Sequence, residues 1–354
     1  MKSYTNLFDK ICAFENLYLA SRKAEKGKRF RHDVAIFNAR RAENLLEIQQ
    51  SLYAGNYPFG KFHTFKILRP KPRMISAAPY AERVVHHALM NVIAPLLERK
   101  FIHDSYANRE NKGTSAALDR CTFYARRYRY VLQLDIRKYF PSIDHQLLLA
   151  EISRTIRCRQ TLILIEQIIN ASNLQEPANF YFPGDDMFTP LERRKGLPIG
   201  NLTSQFFANV YLNPYDHFIK EELGAPGYVR YVDDILIFSD DRAWLLECKR
   251  RSQSFLQKWR LHLHSQKALV HPVQHGIPFL GFRLFPAHRR LLRSGIKRAR
   301  KKLQALTKGY GCGKISWNAV NASVQAWLGH VSQGDTWGLR RSLFEQYAFI
   351  RRNP

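Results

Sequence analysis

The stretch that decides the fold is residues 228–239, which read Tyr-Val-Arg-Tyr-Val-Asp-Asp-Ile-Leu-Ile-Phe-Ser. Apolar, β-prone residues flank Asp233 and Asp234 on both sides, so the pattern predicts a β-hairpin with the acidic pair at its tip. Two adjacent carboxylates between buried strands repel each other and resist desolvation. A bound divalent cation would relieve both costs, whereas the alternative interpretation is an ordinary acidic turn.

The other two Asp-Asp pairs of the chain serve as controls. Asp185 and Asp186 follow a Pro-Gly dipeptide in a polar loop. Asp240 and Asp241 precede a helical run and have the position of an N-cap. Neither of these pairs lies between buried-type strands, so the sequence context distinguishes Asp233 and Asp234.

A second acidic position strengthens this interpretation. Residues 130–136 form another strand-like run that contains Asp135 near its end, far from Asp233 in the chain. Two neighbouring strands of one sheet can bring such residues together. Three carboxylates can then hold two Mg²⁺ ions about 3.5–4 Å apart, the arrangement used for in-line phosphoryl transfer. A lone Asp at a strand end is structural more often than catalytic, but the joint pattern favours catalysis.

Composition indicates a globular protein that meets a polyanion. The chain has 354 residues, of which 45% are hydrophobic, and Lys plus Arg total 56 against 29 acids, giving a net charge of +27. Nucleic acid is the leading partner for such a charge, and an anionic membrane surface is the weaker one. No run of about 18 apolar residues is present to span a bilayer. The five cysteines are scattered singly, which argues against a zinc ribbon or a disulfide framework and for a reducing compartment.

Periodicity and turn residues predict the remaining elements. The N-terminal 55 residues are expected to be helical, with a charged, mobile loop at 21–32. A strand at 62–68, a basic loop at 69–73 and a returning strand at 74–76 follow. The expected helices cover 79–97 (kinked or ended by Pro95), 114–127, 144–156, 160–170, about 202–211 (disturbed further on by Pro214) and 242–259. Residues 173–194 are expected to form a loop or irregular hairpin, strands lie near 262–270 and 277–284, and everything after Pro286 is expected to be helical.

The order of these motifs resembles that of reverse transcriptases. Tyr231-Val232-Asp233-Asp234, the Leu134-Asp135 strand end, the turn with Leu197, Pro198 and Gly200, and the downstream Lys267 occur in the expected sequence. More narrowly, three segments look like the reverse transcriptases of diversity-generating retroelements: residues 134–145, residues 199–205 and the Trp-Leu-Gly-His run at 327–330. The match covers about residues 55–345.

The resemblance implies an α+β, right-hand polymerase fold with fingers, a palm built on an antiparallel sheet, and a helical thumb. It assigns residues 1–55 to an N-terminal basic helical extension, 56–130 to the fingers and 131–285 to the palm, with inserted fingers elements at about 145–195. Residues 286–354 form the thumb. The implied activity is RNA-directed DNA synthesis by two-metal phosphoryl transfer.

Catalytic roles are carried over to individual positions. Asp135, Asp233 and Asp234 are expected to hold two Mg²⁺ ions, with Mn²⁺ as a substitute, and Ile136 is included among the metal-binding positions. Lys267 matches the palm lysine thought to protonate departing pyrophosphate; the alternative is an exposed strand-end lysine.

The resemblance also implies a set of contacts to the incoming nucleotide. Phe140 has the spacing of an aromatic steric gate that excludes a 2′-hydroxyl, although a core Phe is the alternative. Lys71 and Arg73 lie on the loop that resembles a triphosphate-binding segment, for which ammonium and guanidinium groups are suited. The other expected nucleotide contacts are Ile136, Arg137, Ile199, Gly200 and Gln205.

Ile199 and Gln205 depart from most reverse transcriptases, which carry Gln at the first position and Pro at the second. An aliphatic Ile cannot supply the hydrogen bonds of a Gln amide. Looser constraint on the nascent base pair follows, because polymerase selectivity depends on such contacts. In the resembling family this goes with misincorporation opposite template adenines; simple packing of Ile199 against its neighbours is the alternative.

The C-terminal region is basic and aromatic. Lys297, Arg298, Arg300 and Lys301 on one predicted helix suit contacts to the phosphates of an RNA–DNA duplex. The implied partners are a template RNA, the RNA–cDNA duplex, dNTPs and a small, basic, oligomeric accessory protein, with no membrane. The implied location is the cytoplasm of a bacterium, with a bacterial or phage gene.

Two other functions compete with this hypothesis. One is a group II intron, retron or abortive-infection type of reverse transcriptase with ordinary fidelity. The other is a non-catalytic RNA-binding scaffold with a degenerate polymerase fold, against which the intact Asp triplet argues.

Overall fold

A four-stranded antiparallel sheet lies at the centre of the protein. In this computed structural model, residues 4–68, 72–172 and 179–351 are described. The sheet is formed by β3 (Tyr130–Asp135), β4 (Gly227–Tyr231), β5 (Asp234–Ser239) and β6 (Leu269–Pro272), in the order β4-β5-β3-β6. The hairpin predicted around Asp233 is therefore confirmed, and β3 pairs with β5 as the joint pattern required.

Both faces of the sheet are covered, which explains why β3 and β5 are mostly apolar rather than alternating with polar residues. Leu132 and Ile237 pack into one hydrophobic core, and Val131 and Phe238 pack into the other. The helices that pack directly on these strands are α6 (Thr114–Arg127) and α12 (Arg242–Lys258). Three further helices share the first of these cores: α8 (His145–Ser153), α9 (Arg159–Asn170) and α11 (Leu202–His217). The acid predicted to cap α12 does so, since the Asp241 side chain accepts a hydrogen bond from the backbone of Trp244 at 3.0 Å.

The N-terminal region is helical, as predicted. Its helices are α1 (Phe8–Cys12), α2 (Phe14–Ala24), α3 (His32–Ala39) and α4 (Arg41–Tyr53), and they share a core with α5 (Tyr80–Glu98). The loop predicted at 21–32 was wrong in part, because α2 continues to Ala24. Successive hydrogen-bonded turns follow around Glu25, whose buried carboxylate accepts bonds from Arg41 and Asn38.

The predicted strand pair after the N-terminal helices is also present. It consists of β1 (His63–Ile67) and β2 (Arg73–Ala77), which form a two-stranded antiparallel sheet. The residues of β1 are all exposed, whereas Ser76 in β2 is buried. Lys71 lies outside the described residues.

Two prolines affect their helices less than predicted. α5 continues through Pro95 to Glu98, so Pro95 does not end it. α11 contains Pro214 and continues to His217, beyond the predicted end near Tyr211. A π-helical turn at Phe218–Glu222 then follows. A proline removes one backbone donor, and the buried apolar surface of these helices outweighs that loss.

The C-terminal region combines a small sheet with three long helices. The predicted strand at 277–284 is a hairpin of two strands, and a third strand contradicts the prediction that all residues after Pro286 are helical. The strands are β7 (Ile277–Phe279), β8 (Phe282–Leu284) and β9 (Arg289–Leu291); the helices are α13 (Arg293–Gly311), α14 (Trp317–Val331) and α15 (Trp337–Gln346). The predicted helix end at Ile156 was also late, because α8 ends at Ser153, and the short α7 (Tyr139–Ser142) and α10 (Thr189–Glu192) were not predicted.

All five cysteines are free thiols, as expected from their spacing. Four are buried and Cys312 is exposed. Among the described residues, none of the helices combines the length and the apolar character that a bilayer crossing needs.

Candidate active site

The central sheet brings the three predicted aspartates together. Asp135 ends β3 directly opposite Asp234, the first residue of β5. Asp233 lies in the two-residue connection between β4 and β5, because Tyr231 pairs with Asp234 across the hairpin. Opposed residues of an antiparallel pair have Cα atoms about 4.5–5.5 Å apart and project from the same face. One end of the sheet therefore carries Asp135 and Asp234 side by side, with Asp233 adjoining.

The tight turn is what presents Asp233. Val232 has a φ of 58°, whereas Asp233 does not have a positive φ. A positive φ at the first central residue alone is the pattern of a type II′ turn, whose twist matches that of the flanking strands. A β-branched residue adopts this conformation at a cost of about 1–2 kcal/mol, so the surrounding structure must enforce it.

Lys267 lies at the same end of the sheet. Its Nζ donates to Oδ2 of Asp135 at 2.7 Å. The local backbone explains this position, because His264 N donates to the carbonyl of Asp135 at 2.8 Å and Lys267 N donates to the carbonyl of His264 at 3.0 Å. The segment before β6 thus runs beside the end of β3 and delivers an ammonium group to the carboxylate.

The surroundings of Asp233 disfavour its charged form. Burial raises the pKa of its carboxyl group above the ordinary value, and the charge of Asp135 acts in the same direction. Its own backbone N–H and the charges of Arg73 and Lys267 lower this pKa, but they do not outweigh the first two effects. The position of Arg73 at the start of β2 thus brings a cation towards Asp233.

The turn at Ile199 and Gly200 packs against β2. Ser76 N donates to the carbonyl of Ile199 at 2.9 Å, and Gly200 has a φ of 125°. A Cβ on Gly200 would lie 3.0 Å from Cγ2 of Ile75. Only glycine combines this backbone conformation with this close approach.

Phe140 lies beside the same turn. Its carbonyl accepts a hydrogen bond from Leu197 N at 3.0 Å, and its side chain is half-buried next to Tyr139. Gln205, on the first turns of α11, is half-buried as well. The predicted gate and the predicted base-pair turn are therefore neighbours in space, although 59 residues separate Phe140 from Ile199.

A comparison with protein families identifies the family of the chain. The family model described as reverse transcriptase (RNA-dependent DNA polymerase) matches residues 65–284. This match covers more than half of the chain. The chain belongs to the reverse transcriptase family. The resemblance seen in the motifs is thereby confirmed at the level of the family, and the chain is an RNA-directed DNA polymerase. Its mixed helix and sheet architecture agrees with the α+β class expected from the sequence.

The reverse transcriptase has relatives among bacterial and intron-encoded proteins. Protein YkfC of Escherichia coli is 22% identical over 290 residues, which cover 70% of this chain and 73% of YkfC. The group II intron-encoded protein LtrA of Lactococcus lactis is 25% identical over 212 residues, which cover 59% of this chain and 33% of LtrA. Telomerase from Candida tropicalis, solved with a fragment of telomeric RNA, has 12% identity and a TM-score of 0.49, covering 82% of this chain and 56% of the telomerase. The chain thus spans most of YkfC but about a third of LtrA.

The donor chemistry of this reverse transcriptase site fits divalent cations. Carboxylate oxygens are the ligands that Mg²⁺ prefers. Burial raises the pKa of Asp233 and the charge of Asp135 adds to this effect, so a bound cation would favour the charged form of Asp233. Within the described ranges, the side chains themselves do not form a ready-made group of three or more metal ligands. The Asp135 carboxylate is turned to the ammonium of Lys267 instead.

Several predicted residues lie apart from this cluster of contacts. The Ile136 side chain is buried and has no donor atom, so only its backbone could contact a metal or nucleotide. The Arg137 guanidinium lies over the Phe180 ring, 5.1 Å from its centroid. The four cations predicted to contact a duplex are exposed on α13, a helix without acids; they are Lys297, Arg298, Arg300 and Lys301.

A buried polar network behind the reverse transcriptase site was not predicted. Arg230 and Asp216 are both fully buried and form an ion pair with Nη2 to Oδ2 at 2.6 Å. Burial opposes the charged form of Arg230, but the Asp216 carboxylate outweighs it and raises the pKa of the guanidinium. An arginine between Val229 and Tyr231 in an apolar strand was the available signal, since a buried charge requires a partner. The partner lies on another element, which no local pattern could identify.

Proposed function

We propose that this reverse transcriptase copies a template RNA into cDNA with frequent errors opposite template adenines, as the polymerase of a diversity-generating retroelement. The observation that carries the proposal is the turn at Ile199, which is bonded to β2 through Ser76 and lies beside the Phe140 backbone. At this turn the chain has an aliphatic side chain where most family members carry an amide. A nascent base pair flanked by Ile199 would lack one set of hydrogen bonds that enforces its geometry.

The proposed catalytic residues are those at the end of the central sheet. Asp135, Asp233 and Asp234, with the backbone of Ile136, would hold the divalent ions on which reverse transcriptase domains depend. Two Mg²⁺ ions, or Mn²⁺ as a substitute, would supply Lewis-acid chemistry to the phosphoryl transfer when bound. Lys267 is 2.7 Å from Asp135 and 43% exposed. It would hold a proton at Nζ and donate it to the departing pyrophosphate.

Nucleotide selection is proposed for the residues that surround this end of the sheet. Arg73, together with Lys71 from outside the described residues, would bind the triphosphate oxygens. Phe140 would collide with a 2′-hydroxyl and so favour dNTPs. Arg137, Gly200 and Gln205 complete the proposed nucleotide contacts.

These proposed roles correspond to a division of the chain into domains. We propose an N-terminal extension at 1–55, fingers at 56–130, a palm at 131–285 with inserted fingers elements at about 145–195, and a thumb at 286–354. The four exposed cations of α13 would bind phosphates of the RNA–cDNA duplex without reading sequence. A small, basic, oligomeric accessory protein is a further proposed partner, and no membrane is involved. The proposed setting is the cytoplasm of a bacterium, with a bacterial or phage gene.

A second function is favoured by a specific observation. LtrA, a group II intron-encoded protein, is 25% identical to this chain over 212 residues. An intron-type reverse transcriptase of ordinary fidelity would copy every template base accurately.

Sequencing of cDNA distinguishes the two functions. The purified protein copies a defined RNA, with and without the protein encoded beside it, and errors are counted for each template base. The proposal expects errors concentrated at adenines and fewer of them in Ile199→Gln, whereas the exposed Ile163→Gln on α9 serves as a control. Uniformly low error rates at all four bases would support the intron-type alternative instead.

A further inference from the structure

Arg230 lies on β4, two residues before the turn that ends in Asp233, and it is one of the largest side chains that are fully buried. Arginine is almost never fully buried unless its charge is paired. Its partners therefore indicate why the chain keeps a guanidinium at this position.

The guanidinium joins two parts of the molecule. Towards α11, Nε and Nη2 donate to the two carboxylate oxygens of Asp216 at 2.7 and 2.6 Å, which is a bidentate ion pair. Nη1 donates to Oδ1 of Asn209, also on α11, at 3.0 Å. The same Nη1 donates to the carbonyl oxygen of Val232 at 3.1 Å.

The Val232 carbonyl belongs to the peptide group that connects Val232 to Asp233. Val232 has a φ of 58°, a conformation that a β-branched side chain disfavours. Without a bond from outside the turn, relaxation to a less strained conformation would lower the free energy of the turn. Such relaxation would rotate this peptide group and displace Asp233. The hydrogen bond from Arg230 opposes this relaxation.

The rest of the network keeps the guanidinium in place. Tyr228 OH donates to Oδ1 of Asp216 at 2.6 Å, and Asn209 Nδ2 donates to the carbonyl of Ala107 at 2.7 Å. Arg230 is also held by its backbone, since its N donates to the carbonyl of Asp104 at 2.9 Å. The fork is thus fixed on the side of α11, and a further N–H group, on Nη1, is directed at the turn.

We propose that Arg230 is a positioning residue for synthesis: it holds the strained Val232 turn in the conformation that presents Asp233 to the reacting groups. The inference rests on the proposed catalytic role of Asp233. Lysine cannot replace arginine here, because a single ammonium lacks the planar fork that reaches Asp216 and the turn together.

The first experiment compares Arg230→Lys with Tyr228→Phe. Both variants weaken the buried network, but only the first removes the bond to Val232. Steady-state primer extension on RNA at saturating template gives kcat, the KM for dNTP and the Mg²⁺ concentration for half-maximal rate. Since a misplacement on the order of 1 Å costs about 100-fold, we expect kcat to fall by about 10- to 100-fold in Arg230→Lys, with little change in KM and a raised Mg²⁺ requirement. Tyr228→Phe should stay within about threefold of the wild type in all three quantities.

A double-mutant cycle with Val232→Gly separates positioning from general stability. Glycine adopts a positive φ without strain, so the turn no longer needs the bond from Arg230. We expect Val232→Gly to restore the kcat of Arg230→Lys by about fivefold or more, a coupling that a merely structural role would not produce. Additive effects in the cycle, or an equal loss in Tyr228→Phe, would overturn the proposal.

A paired replacement covers the case in which Arg230→Lys does not fold. Arg230→Met combined with Asp216→Leu leaves no unpaired buried charge and is expected to fold, yet it lacks the donor to Val232. It should show the same loss of kcat and the same rescue by Val232→Gly, and full activity would contradict the proposal. If Asp233→Asn is inactive while the cycle is additive, the inference fails alone; if Asp233→Asn is active, the proposed catalytic site fails with it.

Discussion

The Nζ atom of Lys267 lies 2.7 Å from Oδ2 of Asp135, although 132 positions separate the two residues in the chain. The Lys267 side chain is 43% exposed, so it is accessible from the end of the sheet. In the proposed mechanism this one lysine neutralises a carboxylate of the metal site and also donates a proton to the departing pyrophosphate.

Lys267→Gln tests this double role. We expect kcat for dNTP incorporation to fall by about 100-fold, the usual range for loss of a general acid. The measurement is pre-steady-state primer extension on RNA, which separates the chemical step from product release. Lys258→Gln, at the exposed end of α12, is the control, and an unchanged chemical rate in Lys267→Gln would exclude the acid role.

Phe140→Val tests the steric gate. Removal of the ring opens space beneath the sugar, so the ratio of rNTP to dNTP incorporation should rise by about tenfold or more. Competition between a ribonucleotide and its deoxy analogue on one template gives this ratio directly. As a control, Phe188→Val changes an exposed phenylalanine and should leave the ratio unaltered. An unaltered ratio in Phe140→Val as well would show that Phe140 is not the steric gate.

Gly200→Ala tests the contact between the turn and β2. The added Cβ would meet Ile75 at 3.0 Å, and the φ of 125° is strained for any residue with a side chain. Displacement of the turn should raise the KM for dNTP and lower kcat, together by about tenfold or more. Gly338→Ala, with no atom near the added Cβ, is the matched control in the same kinetic assay, and equal behaviour of the two variants would be inconsistent with a tight turn at 200.

Lowering the pH should reduce the free energy of unfolding, because the buried side chain of His86 is neutral in the folded protein. Burial lowers the pKa of His86 from 6.5 to about 3, and the charge of His87 adds to this effect. The unfolded chain therefore binds a proton that the folded chain does not, so stability is lost as the pH falls from 6.5 towards 3. The neighbouring Glu82, whose pKa is raised by burial, acts in the opposite sense, because its protonation favours the folded state.

Urea unfolding at several pH values measures this dependence. In His86→Gln the free energy of unfolding should fall less steeply below pH 6.5 than in the wild type. His103→Gln, which alters an exposed ring, should not change the slope. A slope that is the same in all three proteins would show that His86 does not titrate on unfolding.

Local patterns predicted the parts of the fold that depend on local chemistry. Two apolar, β-prone runs around Asp233 indicated the hairpin, and the similar run that ends near Asp135 indicated a neighbouring strand. Both were recognisable because buried strands and tight turns each have a characteristic pattern of residue types. The order of motifs singled out Lys267, but its ion pair with Asp135 was not derivable. Contacts of this kind depend on how distant segments cross, and no spacing in the sequence encodes that distance.

The errors have physical causes of the same type. Pro214 was expected to disturb the helix beyond Tyr211. Burial of the flanking residues carries α11 past it to His217, and the regular geometry changes only at the π-helical turn that follows. β9 is three residues long, too short for a period to be recognised, and it forms by pairing with β8. Arg230 was passed over because its charge is matched by Asp216, 14 positions earlier on a helix.

Magnesium-dependent incorporation of dNTP on an RNA template by Asp233→Asn tests the central claim most directly. Asp240→Asn, at the opposite end of the same hairpin, is the matched control, since it also replaces an acid of an Asp-Asp pair. With both variants folded to the same extent, the account predicts that Asp233→Asn loses incorporation by about 1,000-fold or more while Asp240→Asn retains it. Wild-type incorporation by Asp233→Asn at ordinary Mg²⁺ concentrations would contradict the account.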